Sequence, residues 1–398
     1  MGQNISRAAL DGLLAKTHVE HALVQPDDNH NDIPTSLATV VYLDGTPDDL
    51  RATYESQQAG LLSWSPSPEN ITDKEGRAQF LGDERFQRAY LTYFSMENGR
   101  LAGNARALAM CHLLTGAKPL IYGLFGGLGR PLVFLSDGME LQTAVMVVES
   151  LTLAAVDWTE PIYDILTTPQ VPRQARDFSL PAEIIGRLAY DGRFSGIMKS
   201  GPGFLGVSQV FANTAAKAAI VDYLHQLDCR DPVEALEEIS RHSVLLLCAT
   251  HKPAAPAFDF YLSYIPTLIN SVRVLLVEFE EVHHQVLILR GLWLLVILLY
   301  ITQLRPVVNP QLLFSVSMPP QNISWHALFD QLRRRDAAAR ESVRDMQLLR
   351  TLRSLWELGK ADGEGGRLHL QAAWKLTSQW KKWAGLEGER EETLNIRL

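Results

Sequence analysis

Helical spacing of apolar residues is the feature that most restricts the fold of this chain. Between its prolines and glycines, apolar residues recur three and four positions apart, whereas the two-residue alternation of strands is nearly absent. The sequence therefore predicts an all-α fold. The predicted helices span 6–23, 33–43, 47–58, 85–94, 99–115, 139–156, 181–187, 204–225, 232–247, 258–276, 286–304, 325–358 and 370–383.

Composition favours one large helical domain that covers residues 1–398. The 398-residue chain is 46% apolar, which is ample for a full core. Loops are predicted at 64–76, 166–178 and 359–366, where Ser, Pro, Gly, Asn and Asp accumulate. None of these loops separates two segments of different composition.

Charge, cysteine content and the N-terminus restrict the class of protein. Three scattered cysteines fit neither a disulfide framework nor a C-x-x-C metal site, and they favour a cytoplasmic location. The net charge of -8 and the absence of a basic run beyond 333–335 argue against nucleic acid as a partner. No signal-peptide core is present, but Met1-Gly2 followed by Ser6 fits N-myristoylation, which would give a weak acyl anchor.

Two local patterns resemble functional motifs without their full context. The apolar run 291–301 is shorter than the ~20 residues of a membrane span, so we expect a buried helix and no transmembrane segment. Glu280-Glu281 and His283-His284 give E-x-x-H spacings but lack a second such motif, which favours a solvated helix face over a di-iron site. The glycine-rich turn at 123–129 lacks phosphate-loop order and predicts a helix-to-helix connection.

Several blocks of the chain share motifs with one known protein family. Residues 125–140 read FGGLGRPLVFLSDGME, and the family pattern reads close to F-G-G-L-x-H-P-L-I-H-L-G-Y-G-x-E. Further similarity covers a histidine-rich segment from Leu13 to Pro47, an F-D-F block from Phe258 to Arg273 and a block from Asp345 to Leu355. In these blocks the chain resembles the questin oxidase-like family of fungal secondary metabolism. His30 persists from the first segment. The residues that replace histidines or a lysine of the family are Asp32, Thr35, Ser36, Arg130, Phe134, Tyr264, Asn270, Gln347 and Arg350.

The functional prediction depends on these replacements. The resemblance implies an enzyme that oxidises polycyclic quinones. The histidine positions of the family look suited to binding a non-haem iron. The residues found here include few imidazole or carboxylate ligands, so we predict an enzyme without metal or redox cofactor. The alternatives are an oxygenase that uses NADPH or iron through other residues, a decayed enzyme, and a non-catalytic protein that binds a reactive intermediate.

The replacing residues suit hydrogen bonding in an apolar pocket. We predict Arg130, Tyr264 and Arg350 as catalytic residues that polarise a carbonyl oxygen, with Thr35, Ser36, Phe134, Asp137, Asn270 and Gln347 binding the substrate. Such a site would cyclise a hydrophobic terpenoid or polyketide intermediate, for example by intramolecular cycloaddition. The structural alternative for Arg130 is a simple ion pair with an acid such as Asp137 or Glu140.

Overall fold

The computed structural model describes residues 2–26, 29–169, 178–199, 201–253, 256–320, 322–333, 344–359, 364–380 and 383–386, with side chains omitted at 2–6, 333, 364 and 365. Helices dominate this part of the chain, and the predicted all-α fold is confirmed. Close contacts divide the chain into two compact units. Unit 1 comprises Met1–Leu166 with Val274–Glu278, and unit 2 comprises Thr167–Arg273 with Phe279–Leu398. That one domain covers 1–398 stays a prediction.

Unit 1 is built from the first half of the chain. Its core includes Leu10 and Leu14 of the first helix, Leu37 of the second and Tyr54 of the third. The helices are α1 (Gly2–Glu20), α2 (Ile33–Tyr42), α3 (Pro47–Gln57), α4 (Lys74–Gln79), α5 (Gln87–Arg100), α6 (Ala105–Leu114), α7 (Arg130–Glu140), α8 (Ala144–Val156) and α9 (Glu160–Thr167).

Unit 2 contains the remaining helices and one small sheet. Two parallel two-residue strands, β1 (Phe258–Asp259) and β2 (Trp383–Ala384), pair in register. The helices are α10 (Pro181–Leu188), α11 (Gly206–Ala212), α12 (Thr214–Leu224), α13 (Pro232–Cys248), α14 (Tyr264–Leu276), α15 (Val282–Thr302), α16 (Trp325–Arg333), α17 (Arg344–Gly359) and α18 (Glu364–Gln379).

Capping residues fix several of these helix starts. Thr46 accepts a hydrogen bond from the Asp49 backbone N–H, and the Asp49 carboxylate accepts one from the Thr46 backbone, which forms a capping box for α3. The Asp231 carboxylate accepts hydrogen bonds from the Val233 and Glu234 backbones and starts α13. Both helices begin at the proline predicted from the sequence.

Other predicted boundaries are wrong for identifiable reasons. The predicted helix 204–225 is two helices, because Asn213 ends α11 and caps α12 through the Ala216 backbone. The predicted helix 139–156 starts only at Ala144, because Gln142 has a φ of 52° and breaks the chain after α7. Helices α4, α7 and α9 were not predicted, and α4 begins within the predicted loop 64–76. The helix predicted at 258–276 begins at Tyr264, since β1 occupies its first residues.

The apolar run 291–301 lies within α15. This 21-residue helix is long and apolar enough to cross a membrane, but 78% of its most apolar stretch is buried within the protein. That burial is typical of the core helix of a soluble protein. The expectation of a buried helix is confirmed, although the helix is longer than predicted, and the cytoplasmic location stays a prediction.

Parts of some predictions lie outside the described residues. These parts are residues 170–177 of the predicted loop 166–178, residues 334–343 of the predicted helix 325–358 and residues 360–363 of the predicted loop 359–366, together with residues 381 and 382 of the last predicted helix. The acyl-anchor prediction concerns Gly2, the first residue of α1, and stays a prediction.

Candidate functional site

The nine predicted site residues fall into two groups, one in each unit. Unit 1 holds five of them on two helices: Thr35 and Ser36 on α2, and Arg130, Phe134 and Asp137 on α7. Unit 2 holds the other four: Tyr264 and Asn270 on α14, and Gln347 and Arg350 on α17. The two groups differ in geometry and are described separately.

Helix α2 buries a polar face. Thr35, Ser36 and Thr39 are at most 2% exposed, and with Asp32 at the N-cap they follow the i, i+3, i+4, i+7 spacing of one helical face. The Thr35 hydroxyl donates to the Asp32 carbonyl (3.1 Å) and the Thr39 hydroxyl to the Thr35 carbonyl (2.9 Å). The Ser36 hydroxyl is fully buried and has no hydrogen-bond partner in the part of the chain that the structure describes. A buried hydroxyl without a partner is costly and indicates a site for a ligand or water.

Helix α7 presents a matching face. Arg130, Phe134 and Asp137 are spaced i, i+4, i+7, so they lie along one side of this helix. Phe134 is fully buried and Asp137 is 3% exposed, which places an aromatic ring and a carboxylate in the interior of unit 1. Helix α7 packs against α2.

The starts of α2 and α7 are joined by an ion pair. The Arg130 guanidinium donates to the Asp32 carboxylate, and Asp32 precedes the first residue of α2. Side-chain exposure is 15% for Arg130 and 38% for Asp32, so the pair lies where the interior of unit 1 meets solvent. Asp32 is thus an acid that pairs with Arg130, and the sequence analysis did not consider it as a partner. Within unit 1, this contact brings the two polar faces together.

The glycine-rich turn before α7 accommodates a histidine–aspartate pair. A side chain at Gly126 would collide with the Asp157 carbonyl, and one at Gly127 would collide with the Asp157 carboxylate and approach the His30 ring. His30 Nε2 lies 3.0 Å from one Asp157 carboxylate oxygen and 3.3 Å from the other. The turn joins helices as predicted, and its glycines leave room for this buried pair.

A second pair joins a histidine to a fully buried carboxyl group that the sequence analysis missed. Glu149 Oε1 lies 3.0 Å from His18 Nδ1, and the Glu149 side chain is 0% exposed. Burial raises the pKa of Glu149, and the hydrogen bond with His18 offsets part of that rise. A signal was present in the sequence, because Glu149 is the one charged residue of the largely apolar α8.

In unit 2, Tyr264 is covered by an arginine that the sequence analysis also missed. The Arg344 guanidinium carbon lies 3.3 Å from the centre of the Tyr264 ring and 5.4 Å from that of Phe260. This is a cation–π contact between the first residues of α14 and α17. Farther along the same helices, the hydroxyls of Thr267 and Thr351 lie 3.5 Å apart.

Tyr264 and Asn270 do not share one face of α14, whereas Gln347 and Arg350 are one turn apart on α17. Asn270 follows Tyr264 by six positions, which turns its side chain about 120° away around α14. The side-chain amide oxygen of Asn270 accepts a hydrogen bond from Arg273 Nε at 3.1 Å, one turn along the same helix. Arg350 is 7% exposed and Gln347 is half-buried on α17. The structure therefore does not bring Tyr264 and Asn270 onto one surface of their helix.

Two hollows in unit 2 involve none of the nine residues. The first has a volume of about 50 Å³ and contains a hydrogen bond of 3.0 Å between Ser240 Oγ and His369 Nε2. It has room for a few waters but not for a polycyclic ligand. The second, of about 400 Å³, is lined by apolar side chains such as Leu180 and Leu227 together with charged ones. Among the charged residues, Asp231 caps α13 and Asp228 pairs with Arg230.

The donor set does not fit an iron site. Within the described residues, no group of three or more His, Cys, Asp and Glu side chains is arranged to hold a metal ion. The E-x-x-H residues lie at the start of α15, where Glu281 precedes the first turn and His283 is exposed. Which positions bind metal in other members of the family stays a prediction.

Comparison with known proteins identifies the family. A comparison with curated proteins gave no match. A sequence model described as Questin oxidase-like matches residues 29–355, which include the α2 and α7 faces of unit 1 and most of α14 and α17. This match covers more than three quarters of the 398 residues. The chain belongs to the Questin oxidase-like family.

Proposed function

We propose that this protein is a cofactor-independent cyclase that binds a hydrophobic terpenoid or polyketide intermediate between the α2 and α7 faces of unit 1. The family itself indicates a tailoring enzyme of fungal secondary metabolism. One observation carries the finer proposal: two buried polar helix faces meet at the Arg130–Asp32 pair, and the fully buried Ser36 hydroxyl on one of them has no partner within the described residues. A ligand carbonyl would satisfy that hydroxyl.

The residues of these faces have complementary roles in such a reaction. Arg130 and Ser36 donate hydrogen bonds to one carbonyl oxygen, which lowers the energy of the acceptor orbital of a conjugated alkene. Phe134 provides an apolar wall, and the rigid helices hold the substrate folded so that its reacting carbons are close. Asp32 orients the guanidinium at the edge of the site, where both side chains of the pair are partly exposed. Thr35 holds the Asp32 carbonyl and so supports the start of α2.

The test uses the material that accumulates when the gene is deleted in the source organism. Purified full-length protein is incubated with an organic extract of the deletion strain, with a chelator, without oxygen and without added cofactor. We expect one hydrophobic compound to be converted into an isomer of identical mass. A product that has gained oxygen, formed only in air, would instead identify an oxygenase, and retention of an unchanged compound on the protein would identify a binding protein.

Single substitutions then locate the site. Ser36→Ala removes the hydroxyl without adding volume, and we expect a loss of about 10-fold or more in turnover with a melting temperature that is unchanged or raised. Ser243→Ala is the matched control, because this buried hydroxyl in α13 of unit 2 donates to the Ser240 carbonyl at 2.7 Å. Equal turnover in the wild type and Ser36→Ala would place the substrate elsewhere.

A further inference from the structure

The buried carboxyl group of Glu149 lies on a helix that packs against both α1 and α7. The hydroxyl of the next residue, Ser150, donates at 2.8 Å to the carbonyl of Pro131, which follows Arg130. Helix α8 is thereby held beside the first turn of α7, next to the residue that pairs with Asp32. Glu149 therefore belongs to the same group of helices as the polar faces.

The two oxygens of the Glu149 carboxyl group have different surroundings. Oε1 shares a hydrogen bond with His18 Nδ1 at 3.0 Å. Oε2 is fully buried and, in the described part of the chain, has no hydrogen-bond partner. Burial also raises the pKa of this group, which favours the protonated form. A neutral acid with one unoccupied oxygen is able to donate to a ligand.

His18 connects this carboxyl group to solvent. Its side chain is 20% exposed, while that of Glu149 is 0% exposed. Its position on α1 is fixed by Trp64 Nε1, which donates to the His18 carbonyl at 3.0 Å, and by Asn31 Nδ2, which donates to the neighbouring Thr17 hydroxyl at 3.1 Å. The imidazole thus lies between the buried carboxyl group and the surface of unit 1.

We propose that Glu149 is the general acid of the cyclisation and that His18 is the positioning residue that restores its proton from solvent. The inference rests on the proposed function of unit 1. The proton on Oε2 passes to the carbonyl oxygen of the bound intermediate as ring closure begins. After the new carbon–carbon bonds have formed, that oxygen releases its proton to solvent and His18 returns one proton from solvent to the carboxylate, so that the net reaction is an isomerisation without a co-reactant.

The first experiment needs no substrate. Infrared difference spectra of the wild type minus Glu149→Gln, recorded near neutral pH in water and in heavy water, should contain the carbonyl stretch of a protonated carboxyl group that shifts on deuteration. Glu55→Gln is the matched control, because Glu55 is exposed on α3 of the same unit. A carboxylate signal in place of the protonated one would overturn the proposal.

The second experiment separates proton transfer from hydrogen bonding. Glutamine keeps a donor but has no acidic proton, so Glu149→Gln should lower turnover of the deletion-strain extract by about 100-fold or more. His18→Gln should shift the pH profile of turnover, with partial rescue by added imidazole. Circular dichroism melting checks that both variants fold.

The outcomes distinguish this inference from the proposed function. If Glu149→Gln forms the isomer at the wild-type rate, the general-acid role is wrong and the cyclase stands. If the wild type itself yields no isomer, the cyclase is wrong, and a protonated Glu149 in the infrared spectrum would then mark only a buried acid. An unchanged pH profile in His18→Gln would remove His18 from the proton path.

Discussion

The two groups of predicted residues come from one set of motifs but have different surroundings. In unit 1, the residues of α2 and α7 fall on one face of each helix, and an ion pair joins the faces. In unit 2, Tyr264 and Asn270 point away from each other on α14, and an arginine covers the Tyr264 ring. Motif positions thus identify only candidates. The shared faces and the ion pair of α2 and α7 are the basis on which we propose unit 1 as the reactive region.

The largest effect is expected at the turn that supports this region. A methyl group at Gly126 would meet the backbone of Asp157, whereas one at Gly385 in unit 2 would meet the side chains of Asp259 and Gln303. Gly126→Ala should lower the free energy of unfolding by at least about 3 kcal/mol, and Gly385→Ala, at a φ of 74°, by about 1 to 2 kcal/mol. Urea denaturation measures both.

The control for these glycine substitutions is Gly12→Ala in α1, where no atom lies within 4 Å of the new methyl group. We expect that variant to be stabilised by about 0.5 to 1 kcal/mol. Equal losses for Gly126→Ala and Gly385→Ala would show that the turn in unit 1 relaxes as readily as the turn in unit 2.

The second prediction contrasts two arginines. Arg130→Ala should lower turnover about 100-fold, because it removes a donor to the developing charge, with a stability change below about 1 kcal/mol for a partly exposed ion pair. Arg344→Met should do the opposite. It keeps the apolar stem but loses the cation–π contact, which should lower the free energy of unfolding by about 1 to 2 kcal/mol. Turnover should stay within about 3-fold of the wild type. The reverse result would move the reactive region to unit 2.

The third prediction concerns acid sensitivity, to which one buried histidine in each unit contributes. Burial lowers the pKa of His112 in unit 1 and of His242 in unit 2 from 6.5 to about 4. Below pH 6.5 the unfolded chain therefore binds protons that the folded chain excludes, and stability is lost as the pH falls. Between pH 6.5 and 5 we expect a loss of about 2 kcal/mol for each histidine.

Denaturation curves of His112→Gln and His242→Gln over this pH range test that expectation. Each variant should lose roughly its own share of the pH dependence, and His326→Gln, whose side chain is 80% exposed, should keep the full dependence. The raised pKa of Glu149 acts in the opposite sense, because the stability it contributes is lost as the pH rises above 4.5. An unchanged slope in His242→Gln would contradict a buried neutral imidazole.

The smallest effects are expected at the helix caps. Thr46→Ala in unit 1 and Asp231→Ala in unit 2 each remove one N-cap acceptor and should cost about 1 kcal/mol, with no change in turnover. Glu55→Ala on the exposed surface of α3 should change stability by less than about 0.5 kcal/mol. A cap variant that lost turnover in proportion to stability would weaken the separation between structural and reactive residues.

The sequence predicted the fold more fully than the site. Helical spacing and capping signals act over a few residues, so α3 and α13 were predicted within one residue of their observed ends. Helix α7 was not predicted, because a proline and a glycine within its eleven residues interrupt the helical spacing of apolar residues. The Arg130–Asp32 and His18–Glu149 contacts join residues 98 and 131 positions apart, and no local pattern encodes such contacts. The only local sign of the His18–Glu149 contact was the single charged residue, Glu149, in the largely apolar α8.

The burial of α15 has a consequence for how the chain is made. As it leaves the ribosome, Val282–Thr302 is the segment of the described chain that most resembles a membrane anchor. The helices that pack most extensively against it, α11, α12 and α13, all precede it in the sequence. The surfaces that cover this helix have therefore already been synthesised when it emerges. Synthesis order thus shortens the time for which its apolar residues are exposed to aggregation or to membrane insertion.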